Sequence, residues 1–356
     1  MSDSRRLRAA RGWAATIGLT LVAWAGIADR PAAAQPPTTA TGEAVPRDIR
    51  ELYDRGLAFL AASQTPKGDW GGGGEQGPGV TGMALLALLA SGEDPNFGQY
   101  SDNIRRALRS MVEAQDAKTG FFGYSMYHHG FAMLALAEAY GAVDERTLYP
   151  DGKGPRSVGQ ALELAVRAAI TSQKGNPNNA WRYQPNGTDA DTSVSGAVLV
   201  GLLAARNAGI EVPDEAIDKA VAYFKSMTSK GGEVAYTGGM GGFGDSMARS
   251  SIATLSYAVA RRKDLPEYKA ALGYLVDRLD QPAGTYTEYV RYYEAQALFQ
   301  GSIDSWEKWN RLLVRQLKEA QQPDGSIRGQ FGPTISTSLS LLSVALNYRF
   351  LPIYER

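Results

Sequence analysis

The sequence predicts an all-α chain in which six helical hairpins close into an α/α barrel. Three observations carry that expectation. A unit that reads LAFLAASQTPKGDW at residues 57–70 recurs in degraded form around Gln115 and Gly120, around Gln173 and Trp181, and around Gln322 and Gly325. Helix ends marked by Gln64, Gln115, Gln173, Ser229, Gln281 and Gln321 follow one another roughly every fifty residues, the signature of stacked supersecondary units. Between them, one-sided amphipathic segments alternate with segments apolar almost all round, and strand-type alternation is nearly absent.

Taken in order, residues 1–34 stand apart. Arg5, Arg6, Arg8 and Arg11 open the chain, an apolar run extends from Trp13 to Ala28, and Ala32 and Ala34 occupy the small positions of a cleavage site before Gln35. This is the layout of a secretory signal peptide. The run is shorter than the roughly 20 residues a spanning helix needs, although retention as an N-terminal anchor is the alternative. Residues 35–47, rich in Pro and Thr, read as a disordered linker. Residues 48–356 then form one repeat domain.

Its six hairpins pair residues 48–64 with 80–91, 101–115 with 127–140, and 157–173 with 193–208. They continue with 214–229 and 246–261, 266–281 and 288–299, and 304–321 and 334–350. The segment DEAIDKAVAYFKSM shows the outer type, placing Ile217, Ala220, Val221 and Phe224 on one face behind an acidic first turn. The segment SVSGAVLVGLLAARNA shows the inner type, apolar on every side until Arg206. Six buried helices ringed by six amphipathic ones make a closed ring, which removes the exposed ends an open solenoid must cap. An open superhelix is the alternative.

Composition narrows the function. Without residues 1–34 the basic count falls from 37 to 32 and the acidic count from 37 to 35, with no basic block. A nucleic-acid partner is therefore not expected, since phosphate binding needs clustered Lys and Arg. The absence of cysteine excludes disulfides, thiol chemistry and a bacterial lipid anchor. With the signal removed, no transmembrane segment is expected.

The Gln64, Gly68 and Trp70 unit resembles the repeat motif of squalene cyclases and their relatives, which include protein prenyltransferase β subunits and complement-type thioester domains. The segments YHHGFAMLALAEAYG, DTSVSGAVLVGLLAARNAG and WEKWNRLLVRQLKEAQQPDGS are similar to exported bacterial prenyltransferase/squalene-oxidase-repeat proteins. The resemblance spans about residues 48–347 and implies an α/α toroid, leaving activity open because one fold hosts many functions. In the repeat unit itself, a Gln at a helix end can bond backbone of the next turn and a Trp can cover it. Gln64, Trp70, Gln115, Gln173 and Trp181 are therefore expected to be structural.

Residues 188–193, TDADTS, resemble the Asp-x-Asp-Asp-Thr acid motif of squalene cyclases. Asp189 and Asp191 are accordingly the candidate catalytic acids, but the constellation is incomplete, because either Ala190 or Thr192 stands where the family has Asp. The competing reading makes Asp191 the N-cap of the third inner helix. His128 and His129 open the second inner helix; the zinc set of prenyltransferases, which includes a Cys, does not carry over, and no metal or cofactor is expected. Gly73 stands where a thioester would need Cys in residues 71–77. Residues 238–244, GGMGGFG, read as a mobile loop at the barrel mouth. The fifth inner helix, TEYVRYYEAQALFQ, suits a cavity wall facing a sugar or polar-headed ligand, or else packing against the outer ring.

Tyr127, His129, Asp189, Asp191, Arg249, Tyr289, Arg291 and Tyr292 are expected to converge where the inner helices begin. Three functions follow. The first is an exported binding or scaffold protein that holds a small molecule or glycan in a central cavity. The second is a terpene-cyclase-like enzyme using Asp189 and Asp191, and the third a carbohydrate-active enzyme or glycan binder.

Overall fold

The computed structural model describes residues 45–71, 76–149, 151–238, 242, 246–282, 284 and 286–354. The expected signal peptide and all but the end of the linker lie outside the described residues, as do most of the two glycine-rich loops. Among the described residues there are twelve α-helices and no β-strand beyond isolated bridges. They form six hairpins: α1 (Arg47–Ser63) with α2 (Pro78–Leu89), α3 (Ser101–Ala114) with α4 (Met126–Ala139), and α5 (Val158–Gly175) with α6 (Thr192–Asn207). The remaining three are α7 (Asp214–Met227) with α8 (Met247–Val259), α9 (Pro266–Val276) with α10 (Thr287–Gly301), and α11 (Ile303–Ala320) with α12 (Pro333–Val344).

Each even-numbered helix packs on the next, α2 on α4, α4 on α6, and so on to α12, which packs back on α2. The chain is thus a closed α/α toroid with an inner ring of six helices. Burial follows the sequence pattern. Every residue of α2 from Pro78 to Leu88 is buried, whereas α1 buries only Ile49, Leu52, Tyr53, Gly56, Leu57 and Leu60. Small residues permit the close inner packing: a Cβ on Gly130 would meet the Ala197 carbonyl carbon of α6 at 2.6 Å.

The repeat glutamine staples neighbouring hairpins. The Gln64 amide donates to the Gly68 carbonyl of its own turn and to the Asn103 carbonyl of α3, both at 2.9 Å. Gln115 does the same with Gly120 and Ala161 of α5, and Gln173 with Asn179 and Ala216 of α7. Gln321 closes the circle by donating to Gly325 and, at 2.9 Å, to Leu52 of α1. Trp70 and Trp181 seal the same turns by donating their indole N–H to Leu60 and Ala169 carbonyls. The turn glycine must be glycine at Gly68, whose φ is +87° and whose Cβ would lie 2.2 Å from the Arg106 carbonyl.

Two helices end well before the expected position. α9 stops at Val276 rather than running to Gln281, and α12 stops at Val344, giving way to a 3₁₀ turn at Ala345–Asn347. The Asn347 side chain bonds the Val344 carbonyl and pairs reciprocally with Asn310, drawing the chain out of the helix. The tail then crosses the end of the barrel where the inner helices finish. Its last turn, Pro352–Tyr354, lies against α6, which stands opposite α12 in the ring, and Leu351 and Ile353 are buried. No described helix is long and apolar enough to cross a membrane.

Candidate functional site

The inner helices all begin at one end of the toroid, on the side of the repeat turns, and their first residues shape its mouth. Between α5 and α6 the connecting loop is held from within. The buried amide of Asn176 donates to the carbonyls of Gly187 and Asp189, and Asn178 donates to Thr188. This fixes Arg182 over the start of α6.

Arg182 is the hub of the site. Its guanidinium reaches Asp191 at 3.0 Å through Nη1 and Asp189 at 3.2 Å through Nε, and lies over the rings of Tyr183 and Tyr236. The hydroxyls of those two tyrosines are 3.1 Å apart. Asp191 is fully buried and caps α6: its Oδ1 accepts from the Val194 amide at 2.8 Å. Burial raises the Asp191 pKa, while the Val194 amide and Arg182 act against that rise. Asp189 keeps 66% of its side-chain surface open and is the accessible acid of the pair.

The floor of the mouth is aromatic. Tyr127 of α4 and Tyr289 of α10 approach with ring centroids 6.0 Å apart, and one turn deeper Phe131 of α4 meets Tyr292 of α10 at 6.1 Å. Helices α4 and α10 face each other across the ring, so these contacts span the barrel axis. Tyr293 stacks edge-on against both Tyr289 and Tyr292. The Tyr289 hydroxyl is out of solvent, surrounded by Tyr127, Ser193 and Tyr293, and makes no hydrogen bond of normal geometry. Burial drives its pKa far up, so it stays a neutral phenol.

At the rim, Tyr124 and Tyr286 are exposed at 60% and 48%. Both hold the left-handed backbone conformation, with φ of 59° and 64°. For a bulky residue that costs on the order of 1–3 kcal/mol.

Of the residues expected to converge, Tyr127, Asp189, Asp191 and Tyr289 stand at the mouth, and Tyr292 lies below them in the packed axis. Three point elsewhere. His129 is fully buried and uses both ring nitrogens on backbone: Nε2 lies 3.0 Å from the Ala165 carbonyl of α5, and Nδ1 faces the Phe122 amide at 3.4 Å. The same clip on the residue two places after the turn is made by Ser195 on Trp181, Ser246 on Val234 and Thr337 on Ile327. His129 is therefore a hairpin clip, with no nitrogen left for a ligand. Arg291 turns outward to Gln316 of α11 at 2.7 Å. Arg249 holds the loop that carries Tyr236, donating to the carbonyls of Val234 and Gly242. Sequence reasoning missed Arg182, Tyr183 and Tyr236. Their available signal was Arg182-Tyr183 directly after the motif residue Trp181. Among the described residues, no three of His, Asp and Glu are gathered within reach of one ion.

The sequence model of a domain of unknown function (DUF6288) matches residues 51–268. No curated protein matches the sequence. Among solved structures, the GH76A α-1,6-mannanase of Salegentibacter sp. HEL1_6 superposes with a TM-score of 0.60 at 10% identity, covering 84% of this chain and 99% of that one. The type II terpene cyclase MstE of Scytonema gives 0.60 at 16% identity, covering 85% and 99%. The mannanase has been captured with α-1,6-mannotriose and the cyclase with geranylgeranyl dihydroxybenzoate. At such identities the likeness is one of fold.

Proposed function

Because the chain belongs to the DUF6288 family, a domain of unknown function, and shares its fold with both a glycan-cleaving and a terpene-cyclising enzyme, we propose a function from the mouth alone: an exported glycan-binding protein without turnover. The observation that carries this reading is the contact of Phe131 with Tyr292 across the axis. A cyclase must enclose a long hydrocarbon chain, and here aromatic side chains occupy the place such a chain would take. What is left for a ligand is a shallow floor of tyrosine beside an arginine, an open carboxylate and two linked phenols. Rings that stack and fixed donors and acceptors suit the faces and hydroxyls of a sugar.

The acids favour binding over hydrolysis. Glycoside cleavage needs two carboxyl groups on either side of the scissile bond. Here Asp191 is spent on the α6 cap and on Arg182, and Asp189, the open acid of the pair, is itself ion-paired to the same arginine. Export rests on the arginine-led apolar leader and its small-residue cleavage site.

The test is calorimetric titration of the protein, recovered from outside the cytosol with Gln35 expected as its first residue, against mannooligosaccharides, cello-oligosaccharides and isoprenoids. A glycan is expected to bind, and Tyr183→Ala to weaken it at least about fivefold, the loss of one stacking contact of about 1 kcal/mol. Asp189→Asn is expected to weaken binding with the melting temperature unchanged. Release of shorter sugars during incubation, or binding of isoprenoids in place of glycans, would overturn the reading.

A further inference from the structure

Of the five described non-glycine residues with positive φ, three sit where that conformation recurs in proteins. Asn179 is in a turn, and asparagine tolerates the left-handed region; Arg261 and Arg349 directly follow the ends of helical segments. Tyr124 and Tyr286 differ. Each immediately precedes or caps the start of an inner helix, each is bulky, and each is exposed, so neither is held there by burial in the core. A strained backbone that no packing requires points to a task at the surface.

Their surroundings say what the task is. The Tyr124 ring stacks on His128, with centroids 5.3 Å apart and planes 23° apart. His128 in turn is fixed to the start of α2, its Nδ1 accepting from the Gly79 amide at 3.3 Å. Tyr286 stacks on Phe331 at 5.5 Å and 18°. Each tyrosine thus has one face backed by another ring and keeps the other toward solvent. The two stand just before α4 and α10, at opposite sides of the ring. Six helices packed at 8–10 Å put opposite axes about 16–20 Å apart. Between them, on the same diameter, lie Tyr127 and Tyr289, and beside that line Arg182 and Asp189 project from the α6 side.

We propose that Tyr124 and Tyr286 are the stacking platforms at the two ends of one aromatic track across the mouth that binds an extended oligosaccharide, with Tyr127 and the buried Tyr289 packed between them as its floor. The track rests on the glycan-binding reading and adds to it a ligand shape: a linear chain of several sugars, engaged at both ends, rather than one ring in a pocket. The left-handed conformation aims the platforms, and the buried Tyr289 ring supports the floor between them.

The experiment titrates the full chain with mannooligosaccharides and cello-oligosaccharides from disaccharide to octasaccharide, for the native protein and for Tyr124→Gly, Tyr286→Gly, Tyr124→Phe and Tyr286→Phe. Affinity is expected to climb with length until the chain spans both platforms and then level off. Each glycine variant should lose tenfold or more in affinity for the longer sugars, leave the disaccharide unchanged, and melt at a higher temperature because the strain is relieved. The phenylalanine variants should bind like the native protein. Length-independent affinity, or glycine variants that bind long chains as the native protein does, would overturn the track while leaving the glycan reading intact. Glycine variants that melt at a lower temperature would assign the tyrosines to stability and overturn the track as well. No binding of any oligosaccharide by the native protein overturns both.

Discussion

Two buried ionisable residues set opposite pH dependences on the fold. Glu294 of α10 faces the outer ring, where its carboxyl accepts from the Trp309 indole, and burial pushes its pKa up to about 8. Folding therefore binds a proton that the unfolded chain releases near its ordinary carboxyl range, so stability is full below about 4.5 and is lost as pH rises through 8. His129 is depressed by burial to about 4, so its contribution is present above the unfolded value near 6.5 and is lost as pH falls toward 4. From about 4.5 to 6.5 the two oppose each other, and from about 6.5 to 8 only Glu294 acts. Glu294→Gln is expected to flatten the decline in melting temperature between pH 6.5 and 8. It should raise stability at pH 8.5 by up to a few kcal/mol, with little change at pH 5. Thermal melts across that range check it. At this scale the sequence was unevenly legible. Asp191 could be read as a cap because an acid stands directly before a buried helix. Arg182 could not, because its place depends on Asn176 holding the loop from beneath. His129 drew attention as a rare residue type, yet it does the work that serine or threonine does in three other hairpins.

At the level of the elements, the staples are the most repetitive feature and were the most readable. Four glutamines make the same two bonds, one within their turn and one to the next outer helix. The fourth and fifth hairpins lack the glutamine: Thr228 and Asp277 end their outer helices instead. Gln321→Ala removes the buried bonds to the Leu52 and Gly325 carbonyls and is expected to cost about 1–3 kcal/mol. Urea unfolding checks this, and a loss near zero would mean that water replaces the amide. Helix ends were less readable than helices, since the end of α12 is set by a side chain that competes for its last carbonyl. The Asn310 and Asn347 pair, 37 residues apart, left no local signal.

For the whole molecule, the ring followed from repetition, whereas the filled axis did not. The tyrosines of α10 stood out in the sequence as a cavity wall, but whether they line a space or occupy it depends on α4, more than 150 residues earlier in the chain. Among the described residues, the tail crosses the far end of the toroid and aromatic side chains pack its axis. Its closure has another consequence. The Gln321 bond to Leu52 makes the junction between last and first hairpins the same kind of seam as the others, and Pro46 and Asn347 line one groove beside it. Which hairpin comes first is then incidental to the ring. A circular permutant opened between Gly209 and Ile210, with the old ends joined by a flexible linker, is expected to fold with native helical circular dichroism and a similar melting temperature. If that permutant stays unfolded, the hairpins must be made in their natural order.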